Sequence, residues 1–402
     1  MNKNVFFNIA FAISSTLLFF SCGKDKAPAP SPLPAGATVS VQNASVVRLT
    51  TATTIRFYIS SNVTSTGNIA VDYNLTDGNA HSPLNYTTAS GTITIPSGQS
   101  FATVDVAVAG DAANNREPNL EFNINLSNAK NCTISTPLAT GTIKCEDGLN
   151  LTTSNVGYTT PTTYAGKTLV WADEFNGTTL NLTDWNQETG NNNGWGNNEL
   201  EYYTNSTKNT FVSNGNLIIE ARKELIGGFN YSSGRMTTQN KKVFTFGRID
   251  IRAKLPVSKG MWPALWMLGS NISSVSWPQC GEIDIMELVG TNPNRVHSTM
   301  HWKNAGGTHS SNGSNYTLPS GNFSDQFHVF SLVWSNNSLL TYVDDILYAT
   351  TTNVNVSPAT YPFNANQFFL FNVAVGGDWP GSPDATTLFP SRMFVDYVRV
   401  FQ

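Results

Sequence analysis

Apolar and polar residues alternate in short runs along most of the chain, and no segment carries a long apolar repeat at helical spacing. A period of two marks half-buried strands, so helices are expected to be few. Two blocks of strands stand out. Residues 38–146 read as VSVQNASVV, TTIRFYIS, IAVDYNL, GTITIPSG, FATVDVAVAG and LEFNINLS, separated by turn residues. After a polar stretch at 147–167, residues 168–402 resume with NLIIEARK, FGRIDIRAKLP, GEIDIMELV, FHVFSLVWS, LLTYVDD, FFLFNVAV and FVDYVRVF. The reading is all-β: a small sandwich of the immunoglobulin kind, then a larger two-sheet jelly roll whose concave sheet can form an open cleft.

One run breaks the alternation. In GEIDIMEL, Glu282 and Asp284 share a strand face, ~6.6 Å apart by the rise per residue, but Glu287 comes three positions later and should point into the core. An unpaired carboxylate there would be costly. A one-residue bulge at Ile285–Met286 would restore the register. Ile283, Ile285 and Leu288 would then face the core, and all three acids the cleft.

Composition narrows the class. Charged residues make up only 12% of the 402, with a net charge of −4, so no basic cluster exists to neutralise nucleic-acid phosphates. Lys3, an apolar stretch from Val5 to Phe20 and the Ser21-Cys22 junction resemble a bacterial lipoprotein signal over 1–21, with Phe19 where leucine is usual. That resemblance implies lipidation at Cys22, a membrane contact through the acyl chains, and an outer-membrane location. APAPSPLPAG lies in a Pro-rich tether at 22–37. Cys132 and Cys145 flank a short segment, and an oxidising compartment would permit their pairing. Cys280 reads as a small buried filler.

All nine tryptophans lie at or after Trp171. Flat aromatic faces stack on sugars, so the first block is a poor carbohydrate binder and a better spacer. Around the three acids, GMWPALWML carries Trp262 and Trp266, and VHSTMHW carries His297 and His301. Paired carboxylates with aromatic platforms are the parts of glycoside hydrolysis.

Two resemblances follow. NYTTASGTITIPSGQSFATVDVAVAGD with NLEFNINLSNA resembles a Calx-beta domain, although GDAANN stands where that family has an acidic pair. GEIDIMEL, with WADEFNG, NGWGNNELEYYT, SGRM, GRIDIRAKLP, GMWPALWML and FNVAVGGDWPG, resembles glycoside hydrolase family 16 over residues 168–402. Within that family the motif and GGDWPG look most like laminarinases, endo-acting β-1,3-glucanases. The fold implied is a concanavalin-like β-jelly roll.

The family resemblance implies a retaining reaction on β-1,3- or mixed-linked β-1,3-1,4-glucan, with no cofactor for catalysis. Glu282 matches the nucleophile, Glu287 the general acid/base, Asp284 the helper between them, and His301 a histidine near the acid/base; His297 is expected to be structural. Clustered negative charge is expected to raise the proton affinity of Glu287. Trp195, Trp262, Trp266 and Trp379 are candidate platforms, with Asn198 and Arg235 as hydroxyl partners; Trp171, Trp185 and Trp334 read as core. Many family members hold a structural calcium, and Glu174, the Gly215 backbone and Asp396 match its positions. A monomer is expected. The alternatives are a family 16 hydrolase of agarose, porphyran or carrageenan, and a non-catalytic glucan-binding protein.

Overall fold

The computed structural model describes residues 36–402. The signal segment, Cys22 and nearly all of the tether lie outside the described residues. No helix among them is long and apolar enough to cross a membrane.

The chain divides into two units. The first takes residues 55–106 and 121–141 together with the described residues up to Ala44; the second takes 45–54, 107–120 and 142–402. In the first unit, Phe57 on Thr53–Ser61 meets Phe122 on Leu120–Lys130 edge to face, with ring centroids 5.9 Å apart. Those strands belong to different sheets, so the apolar faces of a four-stranded and a five-stranded sheet close on each other. Cys132 and Cys145 are both free thiols.

The second unit is the jelly roll. One sheet of seven strands has Met261–Gly269 and Glu282–Leu288 near its middle, Gln367–Val375 and Arg295–Lys303 flanking them, and His309–Thr317 at one edge. A ten-stranded sheet, built on Gly247–Lys254, Ser391–Phe401 and His328–Ser335, covers its apolar face. Strict alternation sorts the side chains. On Met261–Gly269, Met261, Leu265 and Met267 enter the core while Trp262 and Trp266 line the cleft. On Gln367–Val375, Phe369, Phe371, Val373 and Val375 go inward, with Phe368, Leu370 and Asn372 on the cleft side. Trp185 and Trp334 are buried and Trp171 packs against the same core, as expected.

The polar stretch at 147–167 is more than a link. It lies on the outward face of the ten-stranded sheet: Arg252 donates to the Tyr158 carbonyl at 2.6 Å and the Asn155 carbonyl at 2.8 Å. Tyr164 donates to Asp250 Oδ2 at 2.7 Å, and the Thr160 amide to the Tyr397 hydroxyl at 3.0 Å. Period-two strands leave Arg252 and Asp250 pointing away from the core, and these neighbours satisfy them. From the 107–120 segment, Arg116 pairs with the buried Glu220 at 3.0 Å.

Candidate active site

The alternation in GEIDIMEL is reset by the expected bulge. Against Arg295–Lys303, Asp284 opposes Thr299 and Glu287 opposes His297, three positions against two. Against Met261–Gly269, Asp284 opposes Trp266 and Met286 opposes Leu265, so one extra residue sits at Ile285–Met286. Two bonds fasten it: Ser298 donates to the Asp284 carbonyl at 2.8 Å and Tyr348 to the Ile285 carbonyl at 3.1 Å. Ile283, Ile285 and Leu288 enter the core, joined by Met286. A bulge places two consecutive side chains against one opposite residue, which is how Ile285 and Met286 both go inward and Glu287 returns to the cleft.

Glu282, Asp284 and Glu287 therefore line one cleft of about 750 Å³. Each has a ring partner. The Trp277 indole donates to Glu282 Oε2 at 3.0 Å, and the Trp262 indole to Glu287 Oε1 at 3.0 Å. His301 Nε2 stands 3.0 Å from Asp284 Oδ2 and 3.8 Å from Glu282 Oε1. Burial pushes Glu282 and Glu287 up to about 8, with the neighbouring Asp284 charge adding to the rise and His301 opposing it. Asp284 is likewise raised well above the usual carboxylate range by burial. The expected rise at Glu287 is present, but desolvation leads it and clustered charge comes second.

The cleft floor and walls carry the predicted platforms. Trp195, Trp262, Trp266 and Trp379 all line it. Trp195 has a left-handed backbone, φ 51°. Its loop is held by the Asn191 amide group, which donates to the Glu199 and Glu201 carbonyls at 3.0 and 2.8 Å, while its Oδ1 accepts from the Gly194 amide. Strain of this kind persists only where surroundings fix it. The Arg235 guanidinium lies 4.5 Å from the Trp195 ring and 4.9 Å from the Trp266 ring, and pairs with Glu188. The Trp266 indole is itself fixed by Asn372 Oδ1 at 2.8 Å.

Several expectations need correction. Asn198 is absent from the cleft lining, because its amide group donates to both Asp378 oxygens, at 3.0 and 3.1 Å. With the Asp378 amide donating to the Asn197 carbonyl at 2.9 Å, it clamps the GGDWPG loop onto the NGWGNNEL loop. Gly377, at φ 116°, permits that approach; a Cβ there would meet the Asn197 carbonyl at 3.0 Å. His297, expected to be structural, lines the cleft edge-on to Trp379 at 5.0 Å. Sequence reasoning left Trp277, Glu188, Asn372 and His309 unassigned, and all four are cleft residues. Only Trp277 had a signal, as a tryptophan in no strand pattern. Cys280 is buried and its thiol is pushed up to about 11, which suits a filler.

The matched calcium positions do not fit an ion as they stand. Both Glu174 oxygens accept from Arg399, at 2.6 and 2.8 Å, and Asp396 pairs with Arg252 at 2.8 Å. Two arginines already neutralise the acids that would have to hold a cation. Among the described residues, the one grouping of three carboxylate and imidazole ligand atoms is Glu282, Asp284 and His301, in the cleft.

Comparison with known sequences decides the family. The pattern of Glycosyl hydrolases family 16 matches residues 197–399, half of the chain. The chain belongs to family 16. This family 16 chain is 40% identical over 271 residues to a glucan endo-1,3-beta-glucosidase A1 of Niallia circulans, covering 62% of this chain but 40% of that protein. It is 40% identical over 250 residues to a beta-glucanase of Rhodothermus marinus, covering 58% of this chain and 85% of that one. Among solved structures, the laminarinase catalytic domain of Thermotoga maritima MSB8 superposes with TM-score 0.56 at 46% identity, covering 59% of this chain and 98% of that domain.

Proposed function

We propose that this family 16 chain is a retaining endo-glycoside hydrolase acting on β-1,3-glucan such as laminarin, or on mixed-linked β-1,3-1,4-glucan. The observation that carries the reading is the bulge, which sets Glu282 and Glu287 on one face among four tryptophan platforms. Glu287 protonates the glycosidic oxygen as the Glu282 carboxylate attacks the anomeric carbon. Glu287 then takes a proton from water as that water releases the glycosyl-enzyme. Burial raises Glu282 and Glu287 alike, so near neutrality the pair retains a proton, and the working form carries it on Glu287 with Glu282 ionised. Asp284 and His301 set the charge beside Glu282.

The linkage rests on the likeness to the glucanases named above. Reducing-end release from laminarin, lichenan, agarose and carrageenan tests it: laminarin or lichenan is expected to be cleaved, and turnover of agarose or carrageenan alone would overturn it. A lipid-anchored outer-membrane location rests only on the Ser21-Cys22 junction. C22S is expected to move the protein from membrane pellet to soluble fraction, and unchanged partitioning would refute it.

A further inference from the structure

His309 is the first residue of the edge strand His309–Thr317, and it opposes Lys303. His301, two positions back on that neighbouring strand, opposes Ser311. The two histidines are thus diagonal neighbours on the cleft face, within reach of each other's rings. Their rings stack at 5.0 Å and 21°, and His301 Nδ1 lies 2.8 Å from His309 Nε2. The hairpin that delivers His309 is braced by Asn304, whose Oδ1 accepts from the Gly306 and Thr308 amides at 2.9 and 3.1 Å. Trp277 stands beside the pair, 4.9 Å from the His309 ring and 6.4 Å from the His301 ring, while its indole holds Glu282.

We propose that His309 is a positioning residue that sets the tautomer and charge of His301, and through it the ionisation of Glu282. The proposal rests on the glucanase reading above and deepens it.

A nitrogen–nitrogen hydrogen bond holds one proton. When His301 is charged, its Nε2–H faces the acids and its Nδ1–H must donate to His309, which must then be neutral with a bare Nε2. When His301 is neutral with its proton on Nε2, His309 must be the donor. The two rings cannot both present a proton across that contact, so the pair charges one ring at a time. His301 Nε2 faces the Asp284 and Glu282 carboxyls, whereas burial and the His301 charge disfavour a cation at His309, so a positive charge on the pair sits on the ring next to the acids. The ionisable groups facing His301 are Glu282, Asp284 and, further off, Glu287 on one side and His309 on the other. A charged His301 favours the Glu282 carboxylate against burial and the Asp284 charge. Losing the His309 acceptor makes that charge harder to hold, so Glu282 keeps its proton to higher pH.

The test uses the full chain with H309F, which keeps a ring against Trp277, and H309Q, whose side-chain carbonyl can still accept. Both are also made in an H301F background. The acid limb of kcat/KM on laminarin is expected to rise in H309F by roughly half a pH unit, a threefold change in proton affinity. H309Q is expected to restore most of it, and neither change should move the limb when His301 is absent. An unmoved limb in H309F overturns the proposal. So does an equal shift in the H301F background, which would trace the effect to Trp277. Histidine NMR gives a second readout: His301 is expected to release its proton at lower pH in H309F, and an unchanged titration refutes the coupling. If the parent cleaves no β-glucan, the glucanase reading fails alone, and the NMR titration still decides the histidine pair.

Discussion

Replacing Trp262 by Phe isolates one hydrogen bond to Glu287, the proposed acid/base. The indole N–H reaches Glu287 Oε1 at 3.0 Å and opposes the rise that burial imposes on that carboxyl. A hydrogen bond to a charged acceptor contributes about 1.5–3 kcal/mol and one to a neutral acceptor about 0.5–1.5. The indole can serve either form of Glu287, so only the difference, about 1 kcal/mol, bears on its titration. At 1.36 kcal/mol per unit this is about 0.7 of a pH unit. The sign follows from which form is lost: without the donor the carboxylate is less stable, so Glu287 stays protonated to higher pH. The alkaline limb of kcat/KM on laminarin is therefore expected to move up by that amount. Phe keeps an aromatic face toward Trp379, whose ring stands edge-on to Trp262 at 5.5 Å, so substrate stacking is weakened rather than abolished. An aryl glucoside with an activated leaving group needs no proton in its first step, and its glycosylation should show no such shift. A limb that stays put or moves down would refute the idea that the indole stabilises the ionised acid/base.

Other consequences follow from the same geometry. A fluorinated glucoside inhibitor is expected to label Glu282 alone in peptide mass mapping; label on Glu287 would reverse the two roles, and inverted product from the parent would exclude retention. Glu287→Ala should cost roughly 10²–10⁴ in turnover of natural glucan, yet leave glycosylation by an activated aryl glucoside intact. A chain of residues 168–402 loses the 147–167 partners of Arg252. Its melting temperature is expected to fall by roughly 5 °C for ~2 kcal/mol, with kcat per folded molecule unchanged; an unchanged melting temperature would show that the stretch contributes nothing. With Glu174 and Asp396 already paired to arginines, EDTA is expected to move the melting temperature by less than about 1 °C, and a larger drop would reveal an ion.

Much of this was legible because burial enforces simple periods. Period-two runs place each strand residue on one side of the sheet, which covers Trp262, Trp266, Glu282 and Asp284; Glu287 needed the bulge, and the loop residues Trp195 and Trp379 were candidates only beside the family resemblance. The failures share one cause, contacts with other segments that the alternation within a single strand does not show. Asn198 looked like a substrate ligand, but its partner Asp378 lies 180 residues on. His309 sits in a polar hairpin with no apolar pattern, and it becomes a cleft residue only through pairing with the strand before it. His297 looked like an ordinary strand histidine until its register opposite Glu287 placed it in the cleft.

The bulge shows the limit most sharply. Three acids at spacings of two and three cannot share a regular strand face, so the sequence demands an irregularity at Ile285–Met286. It does not say what holds that irregularity, since an unpaired residue in the middle of a sheet leaves backbone groups unsatisfied. Ser298, on the neighbouring strand, and Tyr348, 63 residues beyond Ile285, each donate a hydroxyl to a carbonyl there. Neither belongs to the acidic motif, and neither touches a carboxyl group in these bonds. The position of Glu287 against Glu282 depends on this bracing as much as on the motif itself. A carboxyl held by a backbone irregularity keeps its place only while that irregularity is pinned, so the catalytic geometry extends into groups with no chemistry of their own.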